Sequence, residues 1–372
     1  MRILDVVAAA ASLVLCTQVV PAAGYQGGWV MNTSDVTVRS PSVAMWGSNI
    51  AVAFAYVPSP SSTFIHWTLS RDGGKSWGTH TRAVPQYAIS PVLHYANNTL
   101  HIFFMSSMGT GGAFVAQLLP SAGQATKLYA PNQMFAVLSG APFPIADVPC
   151  KPLGWGLPFW QELGDCEAGV LLTNATDPTE LSAVWTRAAC LTGRWGNRLL
   201  TPSVVRGYTC ADYAVTIMFT GSSGGKSLNP NQVWLSSSEA ADTKWETAVP
   251  LPQPSAPRER VFAINGRSNS INESMTPPIL MAQQPPGRNL STVVVTVSSD
   301  GAASWRVLTV LEGPGSAAAP SSPAFADVSL AVDTEPGSKA HRAVAVYVAL
   351  RDASSHVDTD GIRFAIFDVP QR

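Results

Sequence analysis

Ser70-Arg71-Asp72-Gly73-Gly74-Lys75-Ser76-Trp77 sets a carboxylate in a glycine-rich turn directly after the apolar run 64–69. An Asp so placed can act as a catalytic acid or base, ligate calcium, or fasten its own turn by accepting backbone N–H bonds. Recurrence weighs the three. SSDGAASW repeats Ser298, Asp300 and Trp305 in register, with Ala302 where Gly74 stood. SEAADTKW keeps Ser238 and Trp245 but has Ala240 for the Asp, and AACLTGRW ends on Trp195 at the same spacing. A catalytic carboxylate is needed once, whereas a turn device recurs. The pattern therefore predicts a structural Asp, a glycine supplying positive φ, and a Trp packed between neighbouring sheets.

Other residues with chemical potential are scattered. Asp147, Asp165 and Glu167 lie in the stretch 146–169 with Trp155, Phe159 and Trp160. That stretch reads either as an aromatic loop over one face, able to stack on a sugar ring, or as a decorated outer hairpin. His66, between Ile65 and Trp67 in a strand, reads as a packed residue. No metal site and no cofactor motif is visible.

These groups must be positioned by β-structure. The 372-residue chain is 46% hydrophobic and 13% charged, with Gly and Pro at 29 each, which suits many short strands joined by turns and argues against disorder. A formal net charge of −1 and the lack of any Lys/Arg run argue against nucleic acid as a partner. Arg2, the apolar run 3–16 and the small residues Val20-Pro21-Ala22-Ala23 read as a secretory signal over residues 1–23, with an uncleaved anchor as the alternative. No later apolar run is long enough to span a bilayer, so the expectation is a secreted or cell-surface monomer. Four cysteines then remain, Cys150, Cys166, Cys190 and Cys210, for two disulfides of open connectivity. Cys150–Cys166 and Cys190–Cys210 are the pairings considered. Sequons stand at Asn32, Asn97, Asn174, Asn272 and Asn289.

A second element precedes each copy of the turn. Ser40-Pro41, Ser90-Pro91, Thr201-Pro202 and Ser322-Pro323 each lead into an apolar strand and read as strands opened by Pro. Units begin near residues 38, 88, 138, 200, 256 and 320. Repeats of about fifty antiparallel residues predict a propeller of six four-stranded blades, one domain over residues 30–370. The run 361–369 reads as the last strand, pairing with the first blade near residues 30 to 38.

The Ser-x-Asp-x-Gly-x-x-Trp turn resembles the Asp-box (the BNR repeat), and Val38-Arg39-Ser40-Pro41 resembles the x-Arg-x-Pro start of the sialidase (neuraminidase) superfamily. That resemblance implies a six-bladed propeller glycosidase with the Asp-boxes away from the substrate face. It also implies three arginines clamping the carboxylate of a sialylated or other acidic glycan, with a Tyr–Glu pair and an Asp acid/base beside them. Arg39 matches the first clamp arginine; Arg288 and Arg363 are looser matches for the others. The catalytic groups have no match. The segment 56–67 carries no carboxylate, Gly315–Ser321 has no Tyr, and Thr201-Pro202-Ser203 has no acid. Three readings stay open: a sialidase-like protein that binds glycans without hydrolysis, an active enzyme with displaced catalytic residues, and a propeller scaffold unconnected with carbohydrate.

Overall fold

A computed structural model describes residues 26–33, 35–85, 87–96, 98–106, 112–129, 136–138, 142–147, 151–161, 168–175, 186–191, 199–206, 214–221, 232–239, 249–250, 260–266, 279–284, 292–298, 305–312, 325–333, 342–350 and 359–369. The described chain is all-β and antiparallel, in six sheets met in sequence order. After β1 (Gln26–Asn32), the first sheet holds β2 (Thr37–Trp46), β3 (Asn49–Ser59), β4 (Ser62–Ser70) and β5 (Thr81–Arg82). The second holds β6 (Ala88–Ala96), β7 (Thr99–Ser106), β8 (Ala113–Leu119) and β9 (Thr126–Tyr129). In the third, β10 (Ala136–Leu138) and β11 (Phe143–Asp147) both pair with β12 (Lys151–Gln161), followed by β13 (Ala168–Thr173) and β14 (Thr186–Leu191). The fourth is β15 (Leu199–Arg206), β16 (Ala214–Gly221), β17 (Gln232–Glu239) and β18 (Val249–Pro250). The fifth is β19 (Arg260–Gly266), β20 (Ile279–Gln284), β21 (Thr292–Ser298) and β22 (Arg306–Glu312). The sixth is β23 (Phe325–Val332), β24 (Arg342–Leu350) and β25 (Thr359–Asp368), with β1 added outside β25.

Neighbouring sheets pack face to face. On β3, Ile50, Val52 and Phe54 join the core shared with the sixth sheet, while Ala51 and Ala53 join the core shared with the second. Strands buried on both faces read as continuous apolar runs, which is why the sequence shows little polar alternation here. First strands lie side by side from β10 through β6, β2, β23 and β19 to β15, and β15 meets β12 of the third sheet. Three polar contacts tie β2 to β6 and β23. Ser40 N donates to Asp327 Oδ2 (2.8 Å) and Gly47 N to Asp333 Oδ1 (2.9 Å), so β2 and β23 run the same way, and Leu93 N of β6 donates to Ser42 Oγ (2.9 Å).

The contact between sixth and first sheets is closely pinned. Asp333, 1% exposed, also accepts from Arg342 Nη2 at 3.2 Å, and the same nitrogen donates to Gly47 O at 2.5 Å. Thr359 Oγ1 accepts from Val38 N at 3.2 Å. The last strand does not pair with residues 30 to 38 as a block. Its register runs from Gln26↔Ile366 to Asn32↔Gly361, and the chain then crosses to become the first strand of sheet one.

Two further expectations change. Three of the four prolines do not open strands: Pro41, Pro91 and Pro202 each lie inside a first strand, where the register slips by one residue (Arg39/Ser42, Ile89/Val92, Leu200/Ser203), and Pro323 lies outside the described residues. A bulge leaves its extra residue outside the ladder, so a missing N–H costs nothing there. Ser40 and Ser90 take φ of 48° and 53° at these bulges. The described part of the stretch 146–169 is also neither a covering loop nor an outer hairpin. Residues 151–161 form the second strand of the third sheet, and Leu157 and Phe159 are buried with Trp155 packed beside them, against the second sheet. Gly154, Gly156, Pro152 and Pro158 mask the alternation of Trp155, Leu157 and Phe159, which is the strand signal.

Candidate functional site

The first sheet has two unlike ends. At one, the turn 70–77 folds over the β2–β3 turn, and Gly73 N donates to Ser48 O at 2.8 Å. Ser70 Oγ donates to Asp72 Oδ1 (2.8 Å) and accepts from Gly74 N (2.8 Å). Ser76 donates twice to Asp72, from its N–H (2.9 Å) and its hydroxyl (2.5 Å). These bonds, those from Ser76 foremost, hold the Asp72 carboxyl down to about 2. Gly73 and Gly74 take φ of 72° and 86°, and a Cβ on Gly74 would stand 2.5 Å from the Phe364 ring. Trp77 meets that ring edge-on, with centroids 5.3 Å apart, so this Trp packs the first sheet onto the sixth. Asp72 is spent on its own turn.

The echoes of this turn fall at comparable places in two other sheets. Ser298 ends β21 and Ser238 lies near the end of β17, each the third strand of its sheet as β4 is, and Trp305 immediately precedes β22. Asp300, Trp245 and Trp195 lie outside the described residues. The run leading to Trp195 begins inside β14, the outermost strand of the third sheet, and not at the end of a third strand.

The other end is chemically open. Arg39 is exposed at the start of β2, and no described residue pairs with its guanidinium. The next residue, Ser40, is turned by the bulge so that its N–H leaves the ladder and reaches Asp327 Oδ2 of β23. Asp327 is half-buried and sits in the matching bulge of the sixth sheet, between Phe325 and Val328. The described chain thus offers a cation and a carboxylate around one bulge. At the same end the β3–β4 turn brings only Ser59 and Ser61, whose hydroxyls lie 3.4 Å apart.

Behind this end runs a band of rings. Tyr56 stacks on His66 at 4.3 Å between centroids, and His66 Nδ1 lies 2.9 Å from His80 Nδ1, so one imidazole donates to the other. Burial, then the neighbouring His80 and Arg82, pull the His66 pKa down to about 4. Arg82 lies over the Phe64 ring (3.8 Å), which stacks on Tyr87 (4.8 Å). His66 is a packed residue, as its neighbours in sequence predict, but in a polar pair that the sequence does not announce. Among the described residues no group of three or more His, Cys, Asp or Glu is gathered to hold a metal ion.

Of the two candidate clamp arginines among the described residues, Arg39 is placed at this end and Arg363 is not. Arg363 lies on β25, two strands out from β23, with its guanidinium 5.1 Å from the Trp29 ring of β1. Arg288 lies outside the described residues, as do Cys150, Cys166, Cys210, Asp165, Glu167, Asn97, Asn272, Asn289 and the segment 1–23. Cys190 is in β14 and Asp147 in β11, their side chains outside the description. Asn32 ends β1, and Asn174 is exposed just after β13. Sequence reasoning missed Asp327 and His80. Ser-Pro and Thr-Pro steps marked three of the bulges, but the sixth unit's step, Ser322-Pro323, precedes β23 and does not point to Asp327.

No family model and no curated protein sequence matches the chain. Solved structures do. The intramolecular trans-sialidase of Ruminococcus gnavus, in complex with oseltamivir carboxylate, aligns over 92% of this chain and 96% of its own at TM-score 0.60 and 11% identity. A Hadza microbial sialidase aligns over 92% and 68% at TM-score 0.60 and 12% identity. An α-L-arabinanase of Penicillium chrysogenum complexed with arabinobiose aligns over 92% and 98% at TM-score 0.56 and 11% identity. At such identities the likeness is one of fold. The chain has a sialidase-like β-propeller fold, shared by enzymes of different substrates.

Proposed function

We propose that this protein is a secreted, closed six-bladed propeller, a single domain over residues 30–370, that binds sialylated or other acidic glycans at the Arg39 end without hydrolysing them. The observation that carries the reading is Arg39 itself, exposed and without a described partner at the bulged start of an innermost strand. A guanidinium fork matches a carboxylate bidentately, and a neighbour of the same fold holds oseltamivir carboxylate. The sheet-to-sheet contacts, from β2 through β6 round to β23 and back to β2, support ring closure. The lack of hydrolysis rests on the sequence, which has no Tyr, Glu or Asp at the positions where the family pattern expects them. Paired cysteines, occupied sequons and a monomeric state complete the proposal, and none of its parts requires a cofactor or metal.

The test is a glycan-binding assay with the purified protein and its Arg39→Ala variant, alongside turnover of a fluorogenic sialoside. The expected result is saturable binding of sialylated glycans, weakened roughly tenfold or more by Arg39→Ala, with an unchanged melting temperature and no turnover. Turnover lost in the variant would instead identify an enzyme with displaced catalytic residues. Absence of binding would leave the scaffold reading.

A further inference from the structure

We infer that Asp327 is a second ligand-binding residue of this end, and that it makes the ligand a hydroxylated acid, a carboxylated sugar rather than a bare anion. The inference rests on the Arg39 reading and adds a specificity determinant to it. Asp327 comes from the sixth sheet and is brought beside Ser40 of the first across 287 positions of sequence. Its Oδ2 is engaged by the Ser40 N–H at 2.8 Å, and no described residue donates to Oδ1. The anchored oxygen fixes the carboxylate at the backbone of Ser40, the residue that follows Arg39, and the second oxygen remains an acceptor.

The charges decide which ligand such a pair selects. Arg39 attracts any anion, but a carboxylate close by opposes that attraction, and opposes a doubly charged phosphate or sulfate most. A ligand recovers the loss by donating a hydrogen to Asp327, and an ionised carboxylate accepting from a hydroxyl forms one of the stronger neutral-to-charged hydrogen bonds. Inorganic sulfate has no hydrogen to give. A simple carboxylic acid, once ionised, has none either. A sugar acid carries several hydroxyls within a few ångströms of its carboxylate, so one ring can reach both groups. Asp327 thus converts a general anion site into one for acidic sugars.

The experiment is an NMR titration of the full chain with methyl α-sialoside, cyclohexanecarboxylate and inorganic sulfate, repeated on Asp327→Asn and Arg39→Ala. Asn keeps a carbonyl oxygen for the Ser40 N–H, so the bulge is preserved, and thermal melting checks this. The wild type is expected to prefer the sialoside over both bare anions. Asp327→Asn should reduce that preference about tenfold, by weakening the sialoside, tightening the bare anions, or both. An unchanged preference in Asp327→Asn, with Arg39→Ala still abolishing binding, overturns the role of Asp327 and leaves the Arg39 reading standing. Sialoside binding that survives Arg39→Ala overturns the Arg39 reading and this inference with it.

Discussion

Asp72 and Asp333 at one end of the first sheet, and Asp327 at the other, are carboxylates that each accept a backbone N–H, yet they are used differently. Asp72 takes bonds from Ser70 and Ser76 on both oxygens, and Asp333 takes Gly47 N–H on one oxygen and Arg342 on the other. Asp72 accepts three bonds within its own turn, and Asp333 is buried with both oxygens engaged. Asp327 is held by one oxygen, next to a guanidinium that no described residue holds. The number of acceptor sites already filled separates the structural carboxylate from the recognition carboxylate, where exposure alone would have favoured Asp72.

That contrast can be broken at the closed end first. Asp333→Ala removes the buried partner of Arg342 and strands the Gly47 N–H, and should lower unfolding free energy by about 3–5 kcal/mol in chemical denaturation. Glycan affinity of the folded fraction should stay unchanged, and a parallel loss of affinity would mean that the two ends are not independent. Gly74→Ala comes next. It puts a Cβ where φ is 86° and 2.5 Å from the Phe364 ring, and should cost about 1–3 kcal/mol in the same assay.

The smallest effect is set by pH. His66, lowered to about 4, releases its proton more readily folded than unfolded. The unfolded chain therefore gains a proton first on acidification, and stability falls as pH drops from 6.5 to about 4, with no further loss from this group below that. Asp72 is also lowered, but as a carboxylate it stabilises the fold above its ordinary value, and this contribution is lost as pH falls from 3.8 to about 2. The two windows do not overlap. His66→Gln should flatten the upper slope alone in denaturation curves across pH, and a slope retained in that variant would assign it to another group.

What could be read in the sequence was local. The turn 70–77 carries its donors, acceptor and glycines within eight residues, so its geometry followed from its letters. Unit starts near 38, 88, 138 and 200 lie within two residues of β2, β6, β10 and β15, because apolar runs and Pro-containing segments recur at that spacing. The second strand of the third sheet was hidden because glycine and proline interrupt its run of large apolar residues. Asp327 and the His66–His80 pair were hidden for a different reason. Their meaning depends on a partner across a sheet or in another sheet, and neither residue carries a local mark of it.

The added strand β1 bears on how the molecule is made. Gln26 pairs with Ile366, so β1 has no partner strand until β25 has left the ribosome. Closing so long a loop adds little entropy beyond that of a shorter one, since each doubling costs only about 0.6 kcal/mol. Waiting is the larger burden: the Phe364 and Ile366 side chains that will meet the first sheet arrive last, and until then Trp77 has no ring to pack against. Pairings this distant in sequence make folding slow, and β1, unpaired in the interval, offers an edge to other chains. Chaperones would find their substrate at that edge.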